Sequence, residues 1–210
     1  MMRPPPTLRI AEVFPSIKGE GLRLGEPALF IRLAGCNKRC AFCDTKIARR
    51  GGRPVSTERL VAEAVRHRRR FPCRWACLTG GEPLLQDTDR LIRGLRAEGF
   101  LVHIETNGSI PRPPAADWYS VSPKPPDYRV DPAYLRIADE VKLVVTRRLT
   151  LRNVQAVRRA FPDKTPLLLQ PQSNLDWSVR RGWALVRRSL AAGLPNIRLG
   201  IQAHKILRLP

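Results

Sequence analysis

The chain has 210 residues, and 38 basic residues against 18 acidic ones give it a formal net charge of +20. This length provides one well-buried core and is short for two, so we expect a single domain over residues 1–210. No stretch reaches the roughly 20 continuous apolar residues of a membrane helix, and the start, MMRPPPTLRI, lacks the apolar segment of a secretory signal. We therefore expect a cytoplasmic protein that does not bind membranes.

The excess of basic residues would attract phosphate groups, so one alternative is a basic nucleic-acid-binding module with a structural metal. The densest basic run, at 66–70, falls in a predicted helix, and a run of charge usually faces solvent. Other arginines are scattered along the chain. We therefore do not expect specific nucleic-acid binding.

Short segments rich in apolar and β-branched residues alternate with helical patterns, which predicts an α/β fold with a parallel sheet. The predicted strands are 28–33, 75–79, 101–105, 118–122, 140–145 and 167–170, with a last one at 197–202.

Three segments have the spacing of amphipathic helices. The first covers 57–70, and Ser56 or Thr57 is placed to cap its free amides. The second covers 89–98 and the third 176–192. The face of the third helix that we expect to pack consists of Val179, Trp183, Val186 and Leu190.

The chain is too short for a closed eight-stranded barrel, which usually needs about 250 residues. Proline-rich connections at 110–114 and 123–132 take the place of helices around the fourth strand. We therefore expect a partial (β/α) TIM-like barrel of about six parallel strands with few helices. Ligands of such sheets gather at the carboxyl ends of the strands. The polar motifs that follow the strands begin at Gly35, Gly80, Thr106, Ser122 and Gln170.

Three cysteines, Cys36, Cys40 and Cys43, lie within eight residues in the segment GCNKRCAFCDT. A tight group of thiols in a reducing compartment indicates a metal site. A [4Fe-4S] cluster normally has four Cys ligands, so three would leave one iron open for chemistry. A zinc knuckle or three buried thiols are the alternatives, although a zinc site would need further ligands. We expect Cys73 in a loop and Cys77 as a small core residue.

This C-x3-C-x2-C loop resembles that of radical S-adenosylmethionine (SAM) enzymes, in which the open iron binds SAM. Further phrases in this order resemble the 7-carboxy-7-deazaguanine synthase family over essentially the whole chain. They are EVFPSIKGEG, FIRLAGCNKRCAFCDT, LTGGEPLLQ, IETNGS, SVSPK, VKLVV, LLLQPQS and IQAHKILRLP.

The resemblance implies a carbon–nitrogen lyase that contracts the ring of 6-carboxy-5,6,7,8-tetrahydropterin to 7-carboxy-7-deazaguanine and releases ammonia, in queuosine and other 7-deazapurine biosynthesis. It also implies a [4Fe-4S] cluster, SAM, Mg²⁺, an electron donor such as flavodoxin and a homodimer. Another radical SAM enzyme, such as a glycyl-radical activase, is an alternative. That alternative shares the cysteine loop but does not explain the terminal HKILRLP.

By the same resemblance, the three cysteines ligate the cluster and Thr45 ligates magnesium, for which a hydroxyl is a suitable hard donor. Thr45 could instead be a turn residue. The glycines of the GGE turn would let a ligand approach the backbone closely. The residues that would contact SAM are Phe42, Cys43, Asp44, Gly81, Ser122, Pro123, Lys124, Gln170, Pro171, Gln172 and Ser173.

The residues that would contact the substrate are Ile17, Lys18, Gly19, Glu20, Arg32, Thr79, His204 and Pro210. Arg32 would bind the pterin carboxylate with two hydrogen bonds, and in its apolar strand it needs a partner. Lys18 stands where the family usually has Gln, and since a cation cannot accept a hydrogen bond, we expect a backbone contact there.

Two more side chains, Glu105 and Asn107, lie at the end of the third predicted strand and should point toward the same mouth of the barrel. His204 could bind substrate or simply end the last strand. The terminal carboxylate of Pro210 would accept hydrogen bonds from the pterin, with Ile206 and Leu207 packed as anchors for the tail.

Overall fold

The computed structural model describes residues 7–49, 51–111 and 113–210, so residues 1–6 of the segment considered for a secretory signal lie outside the described residues. Within these ranges the backbone forms nine strands. They are β1 (Thr7–Ile17), β2 (Pro27–Leu33), β3 (Arg53–Ser56), β4 (Trp75–Gly80), β5 (Leu101–Thr106), β6 (Trp118–Val121), β7 (Glu140–Val145), β8 (Leu167–Pro171) and β9 (Ile197–Leu199).

All of these strands belong to one sheet in the order β3, β1, β2, β4, β5, β6, β7, β8, β9. Neighbours from β2 to β9 pair in parallel, whereas β1 pairs antiparallel with both β2 and β3. The predicted α/β fold with an open, largely parallel sheet is confirmed, with seven parallel strands described where we expected about six. The sequence pattern misses β1, which contains Pro15 and a register shift, and the four-residue strand β3.

Five α-helices accompany the sheet in the described part of the chain, and none has the length and apolar character needed to cross a bilayer. They are α1 (Thr57–Arg70), α2 (Asp89–Ala97), α3 (Leu151–Ala160), α4 (Asp176–Ala191) and α5 (Ala203–Leu207). The predictions of α1, α2 and α4 are confirmed, and Ser56 caps α1 by accepting the N–H of Arg59 at 3.3 Å. The sequence pattern misses α3, and the predicted strand at 197–202 ends at Leu199, after which the tail turns into α5.

The two faces of the sheet have different chemistry because successive side chains of a strand point to opposite faces. On the outer face, Ala76 and Leu78 of β4 join the apolar core that includes buried residues of α1 and α2. Cys77 lies between them in sequence and therefore faces the inner side, where its sulfur is 3.6 Å from Lys18 Nζ. Cys77 is fully buried, as predicted, but it lies beside the charged groups of the inner face and not in the apolar cluster of the outer face. Cys73 lies in the loop before β4, as expected.

The packing face predicted for α4 is only partly correct. Val186 is buried, but Trp183 and Leu190 are 52% and 54% exposed. The helix also buries small residues such as Gly182. An added Cβ at Gly182 would lie 2.9 Å from the Leu199 side chain, so only a small residue allows this approach to the sheet. An apolar pattern cannot reveal a helix face that is selected for small size.

The turn between β1 and β2 covers the amino-terminal edge of the inner face, where Arg23 is almost fully buried. The guanidinium carbon of Arg23 lies 3.2 Å from the centroid of the Trp75 ring, at the start of β4. Its N–H groups donate to Glu26 Oε2 at 2.5 Å and 3.1 Å and to His103 Nδ1 at 3.1 Å. Arg23 thereby fixes the turn to the sheet.

We expect Arg23→Met to lower the free energy of unfolding by about 2–4 kcal/mol, because it removes a stacked cation and leaves the buried His103 without its donor. Urea or thermal unfolding of the purified protein measures this loss. Arg90→Met is the matched control, since Arg90 is half exposed and an exposed pair such as the one it makes with Glu58 contributes little to stability. Equal losses in both variants would contradict the role of Arg23.

Candidate active site

A cavity of about 280 Å³ opens on the inner face of the sheet, at the carboxyl ends of the parallel strands. The predicted site residues all line this cavity except Pro123, which is buried and is not part of its wall. Glu105 and Asn107 line it as well. The placement of the polar motifs at one edge of the sheet is therefore as expected from parallel strands.

The cysteine loop, residues 34–45, follows β2 and places the sulfur-bearing residues Cys36, Cys40 and Cys43 on the wall of this one cavity. The Cys43 N–H donates to the carbonyl of Cys40 at 3.2 Å, and the Lys38 N–H donates to the Cys36 sulfur at 3.4 Å. The thiolate is the form of cysteine that ligates metals. The Thr45 hydroxyl, at the end of the loop, donates to Asp44 Oδ1 at 3.3 Å.

The GGEP turn after β4 holds the start of the cysteine loop. The Gly81 N–H donates to the Leu33 carbonyl at 3.3 Å, and the Glu82 N–H donates to the Gly35 carbonyl at 2.9 Å. An added Cβ at Gly80 would overlap the Leu33 carbonyl, and one at Gly81 would overlap that of Gly35. We expected these glycines to admit a ligand, but their nearest neighbour is the protein's own backbone.

The Glu82 carboxylate ties this turn to the end of β5. It accepts the N–H of Asn107 at 2.7 Å, the hydroxyl of Thr106 at 2.8 Å and the N–H of Leu84 at 3.2 Å. Burial raises the pKa of Glu82 despite these three donors. The Asn107 side chain donates in turn to Asn37 Oδ1 at 2.9 Å, so two strand ends and the cysteine loop form one hydrogen-bonded unit.

The carboxyl-terminal segment binds the cysteine loop from another side. Lys205 Nζ donates to Asp44 Oδ2 at 2.5 Å and to Ser173 Oγ at 2.8 Å, and Gln202 Nε2 lies 3.4 Å from the same Asp44 oxygen. Although burial opposes ionisation, the Lys205 ammonium group lowers the pKa of Asp44. Lys205 and Gln202 are not among the predicted site residues, because no local pattern in the sequence links them to residue 44.

One wall of the cavity is aromatic and basic. The rings of Phe14 and Phe30 stack with centroids 5.2 Å apart, and Arg32 Nε donates to Glu12 Oε1 at 2.6 Å. Glu12 is therefore the partner that Arg32 needs in its apolar strand, and the two Nη groups of the guanidinium remain as donors. Phe30 and Arg32 are two residues apart on β2, so the period of a strand could have placed Phe30 in the site.

The floor of the cavity is a network of paired charges. Lys18 Nζ donates to Glu105 Oε1, and Lys142 Nζ donates to Glu105 Oε2 at 2.7 Å and to Glu20 Oε2 at 3.1 Å. Gln202 Nε2 donates to the other oxygen of Glu20 at 2.6 Å. Lys142 is not among the predicted site residues, although a lysine inside a buried strand is itself a signal of function.

The backbone of Lys18 is already used in the turn. Its N–H donates to the Glu26 carbonyl at 2.8 Å, and its carbonyl accepts the Gly25 N–H at 2.8 Å. Because the N–H has no capacity left, the structure gives no support to the backbone contact with substrate that we expected at this position.

His204 lies in α5 and lines the cavity, so it does not end a strand. An added Cβ at Gly19 would overlap its ring, and the Ala203 N–H donates to the Gly19 carbonyl at 2.9 Å. Pro210 accepts the Ser16 hydroxyl at 2.9 Å, which holds the terminus at the cavity. The other part of the prediction is wrong, since the proposed anchors Ile206 and Leu207 are 58% and 57% exposed on a short, solvent-facing helix.

The loops after β6 and β8 complete the wall. Lys124 Nζ donates to Ser122 Oγ at 2.5 Å, and burial lowers the pKa of Lys124. Gln170 and Gln202 are buried, and neither amide oxygen has a hydrogen-bond partner among the described residues. Acceptors of this kind in a cavity wall favour a ligand that brings its own donors.

The profile of the Radical SAM superfamily matches residues 30–171, which include the cysteine loop and β2 to β8. With three cysteines at the carboxyl edge of an open parallel sheet, the chain is a radical SAM protein.

Comparison with similar proteins shows which family of the superfamily the chain belongs to. The chain is 34% identical over 212 residues to the 7-carboxy-7-deazaguanine synthase of Methanospirillum hungatei, covering 97% of this chain and 86% of the relative. It is 33% identical over 220 residues to that of Rhodospirillum rubrum, covering 97% and 93%. The crystal structure of QueE from Escherichia coli superposes with a TM-score of 0.73 at 31% identity, covering 94% and 95%. The chain belongs to the 7-carboxy-7-deazaguanine synthase family.

The superfamily implies a [4Fe-4S] cluster and SAM, and the residues present fit both groups. Three cysteines on one cavity wall match the thiolate donors of an iron–sulfur cluster. The unpaired amide oxygens of Gln170 and Gln202 could accept hydrogen bonds from the ammonium and hydroxyl groups of SAM.

We expect Gly81→Ala to destabilise the protein by about 1–3 kcal/mol and to lower the iron content after anaerobic reconstitution, because the new methyl group displaces the start of the cysteine loop. Thermal unfolding and iron analysis measure the two effects. Gly51→Ala is the control, since its added Cβ would meet only the flexible tip of Arg9 at 3.0 Å. Full iron content in Gly81→Ala would show that the loop tolerates the displacement.

Proposed function

We propose that this protein is a 7-carboxy-7-deazaguanine synthase, which converts 6-carboxy-5,6,7,8-tetrahydropterin to 7-carboxy-7-deazaguanine with release of ammonia. The observation that carries the proposal is that one cavity is lined by the cysteine loop, by an arginine and by two paired carboxylates. Relatives that match nearly the whole chain bear this name. The alternative, an activase of glycyl radicals, would act on a protein, whereas these relatives are named for a small-molecule product.

The substrate would bind between the aromatic wall and the charged floor. The Nη groups of Arg32 suit the pterin carboxylate, since a guanidinium forms parallel hydrogen bonds with it. The carboxylates of Glu20 and Glu105 suit the N–H groups of the pterin ring, and His204 and Pro210 line the same cavity. Thr79, Ile17 and Gly19 contribute to the wall.

The cluster and SAM would occupy the opposite side of the cavity. Cys36, Cys40 and Cys43 would ligate the cluster, which together with SAM supplies the hydrogen-abstracting radical. The residues that would hold SAM are Phe42, Asp44, Gly81, Ser122, Lys124, Gln170, Pro171, Gln172 and Ser173. Thr45 would give Mg²⁺ one oxygen ligand, with the substrate carboxylate and water as the others. The buried Pro123 would shape the loop and not touch SAM.

The protein's own contribution is binding, orientation and exclusion of water. The paired charges of the floor leave little freedom to Glu20 and Glu105, so the ring would be held in one orientation relative to the cysteine loop. Lys205 connects that loop to the tail through Asp44 and Ser173, so the two sides of the cavity keep a fixed separation.

The proposed function extends to the domain organisation, the cellular compartment and the protein partners. The whole chain would act as one radical SAM domain, and its thiol-rich site suits the reducing cytoplasm. The exposed apolar residues Trp183 and Leu190 on α4 support a homodimer. The basic residues Lys38, Arg39 and Lys46 of the cysteine loop and the turn after it support an acidic electron donor such as flavodoxin.

Anaerobic incubation with SAM, dithionite and the carboxypterin tests the reaction, with mass detection of the deazaguanine. We expect product from the unaltered protein, and neither product nor bound iron from Cys40→Ala. Cys73→Ala should keep both, because Cys73 is buried in the loop before β4, outside the cavity. Absence of product from a protein with a full cluster would contradict the proposed function.

A further inference from the structure

Lys18 is a buried cation in the wall of the cavity, with a side chain only 2% exposed. Its backbone N–H and carbonyl are paired within the turn that follows β1, as described above. Burial of an ammonium group is costly unless its charge is compensated. The contacts of its Nζ group therefore determine how the charge of this residue acts on the site.

The neighbours of Lys18 Nζ are acceptors on the floor. It donates to Glu105 Oε1, lies 3.6 Å from Cys77 Sγ and lies 5.5 Å from the centroid of the Phe30 ring. Cys77, His103 and Glu105 place ligand atoms within 4.8 Å of one another, a spacing that would also suit a metal ion. The ammonium group already provides a cation at this point, so these acceptors are compensated without a metal.

Glu105 is held from both sides. Lys18 binds Oε1 and Lys142 binds Oε2, so both oxygens have a fixed donor. Although burial opposes ionisation, the Lys142 and Lys18 ammonium groups hold the pKa of Glu105 well below its ordinary value. The carboxylate also lines the cavity and is 19% exposed, so it can still accept a hydrogen bond from a ligand.

We propose that Lys18 is a positioning residue, which fixes the Glu105 carboxylate for the substrate and does not itself bind substrate. This inference rests on the proposed function, since it deepens the account of the same site. It differs from the expectation that residues 17–20 contact substrate as one segment: Glu20 faces the ligand directly, whereas Lys18 acts through its neighbour.

A double-mutant cycle separates the two roles. Lys18→Met keeps the length of the side chain and removes the charge, and Glu105→Gln removes the acceptor charge. In the reconstituted enzyme we expect Lys18→Met to weaken binding of the carboxypterin about tenfold, but less than about twofold when Glu105→Gln is already present, because interacting residues are not additive. Equal weakening in both backgrounds would show that Lys18 binds substrate itself and would overturn the proposal.

Controls distinguish positioning from general damage. Lys18→Gln retains a donor for Glu105 and should recover most of the lost affinity, whereas Lys164→Met, at an exposed lysine away from the cavity, should have no effect. SAM binding, followed by the change in the electron paramagnetic resonance spectrum of the reduced cluster, should stay within about twofold in all variants. A parallel loss of SAM binding would mean that the floor as a whole had collapsed, and would also count against the proposal.

Thermal unfolding gives a readout that does not depend on the substrate. Lys18→Met should lower the melting temperature by about 5 °C in the unaltered background and by clearly less with Glu105→Gln, because the partner charge is then absent. If the unaltered enzyme binds no carboxypterin, the proposed function fails, yet this coupling still tests whether Lys18 supports Glu105. Additive shifts in melting temperature would overturn the positioning role.

Discussion

The inner face of the sheet carries charged side chains that are shielded from water, and their mutual pairing constrains the rest of the structure. A buried charge without a partner costs several kcal/mol, so each group must be placed opposite a specific donor or acceptor. At the amino-terminal edge, Arg23 donates to His103 Nδ1, which leaves Nε2–H to donate to Ser120, and Ser120 donates to Glu140. Burial and the nearby Lys18 hold the pKa of His103 well below its ordinary value, so the ring is neutral in one tautomer.

Above this charged layer, the site is assembled by backbone groups at the strand ends. The GGEP turn binds the backbone of the cysteine loop, and the buried Glu82 carboxylate joins that turn to the segment after β5. These hydrogen bonds fix the backbone conformation of the cysteine loop. Its thiol positions are determined by β2, β4 and β5 together, which explains why glycines are required at Gly80 and Gly81, where a side chain would overlap protein atoms.

Features of the fold that depend on a local pattern or on strand direction are predictable from the sequence. Parallel strands with polar motifs after them lead to one site at one edge, and the helices with a clear apolar stripe, such as α1, are found where they are predicted. The buried face of α4 is only partly predictable from hydrophobicity, because the helix also packs against the sheet through Gly182, where a side chain would meet Leu199. Likewise, Cys77 is apolar in type but belongs to the polar face, and only the period of the strand reveals this. The pairs Lys205 with Asp44 and Gln202 with Glu20 join residues far apart in the chain, so no local signal exists for them.

The site is shared between the two ends of the described chain. Ser16 holds Pro210, the Gly19 carbonyl accepts the Ala203 N–H, and Glu20 is bound by Gln202, so the first strand and the tail define one wall jointly. The cysteine loop is attached to that wall through Lys205. Because these contacts span nearly the full length of the sequence, the cavity can form only after the parallel sheet has brought β1 and the tail together. Binding geometry at this site is thus a property of the complete sheet and not of any single motif.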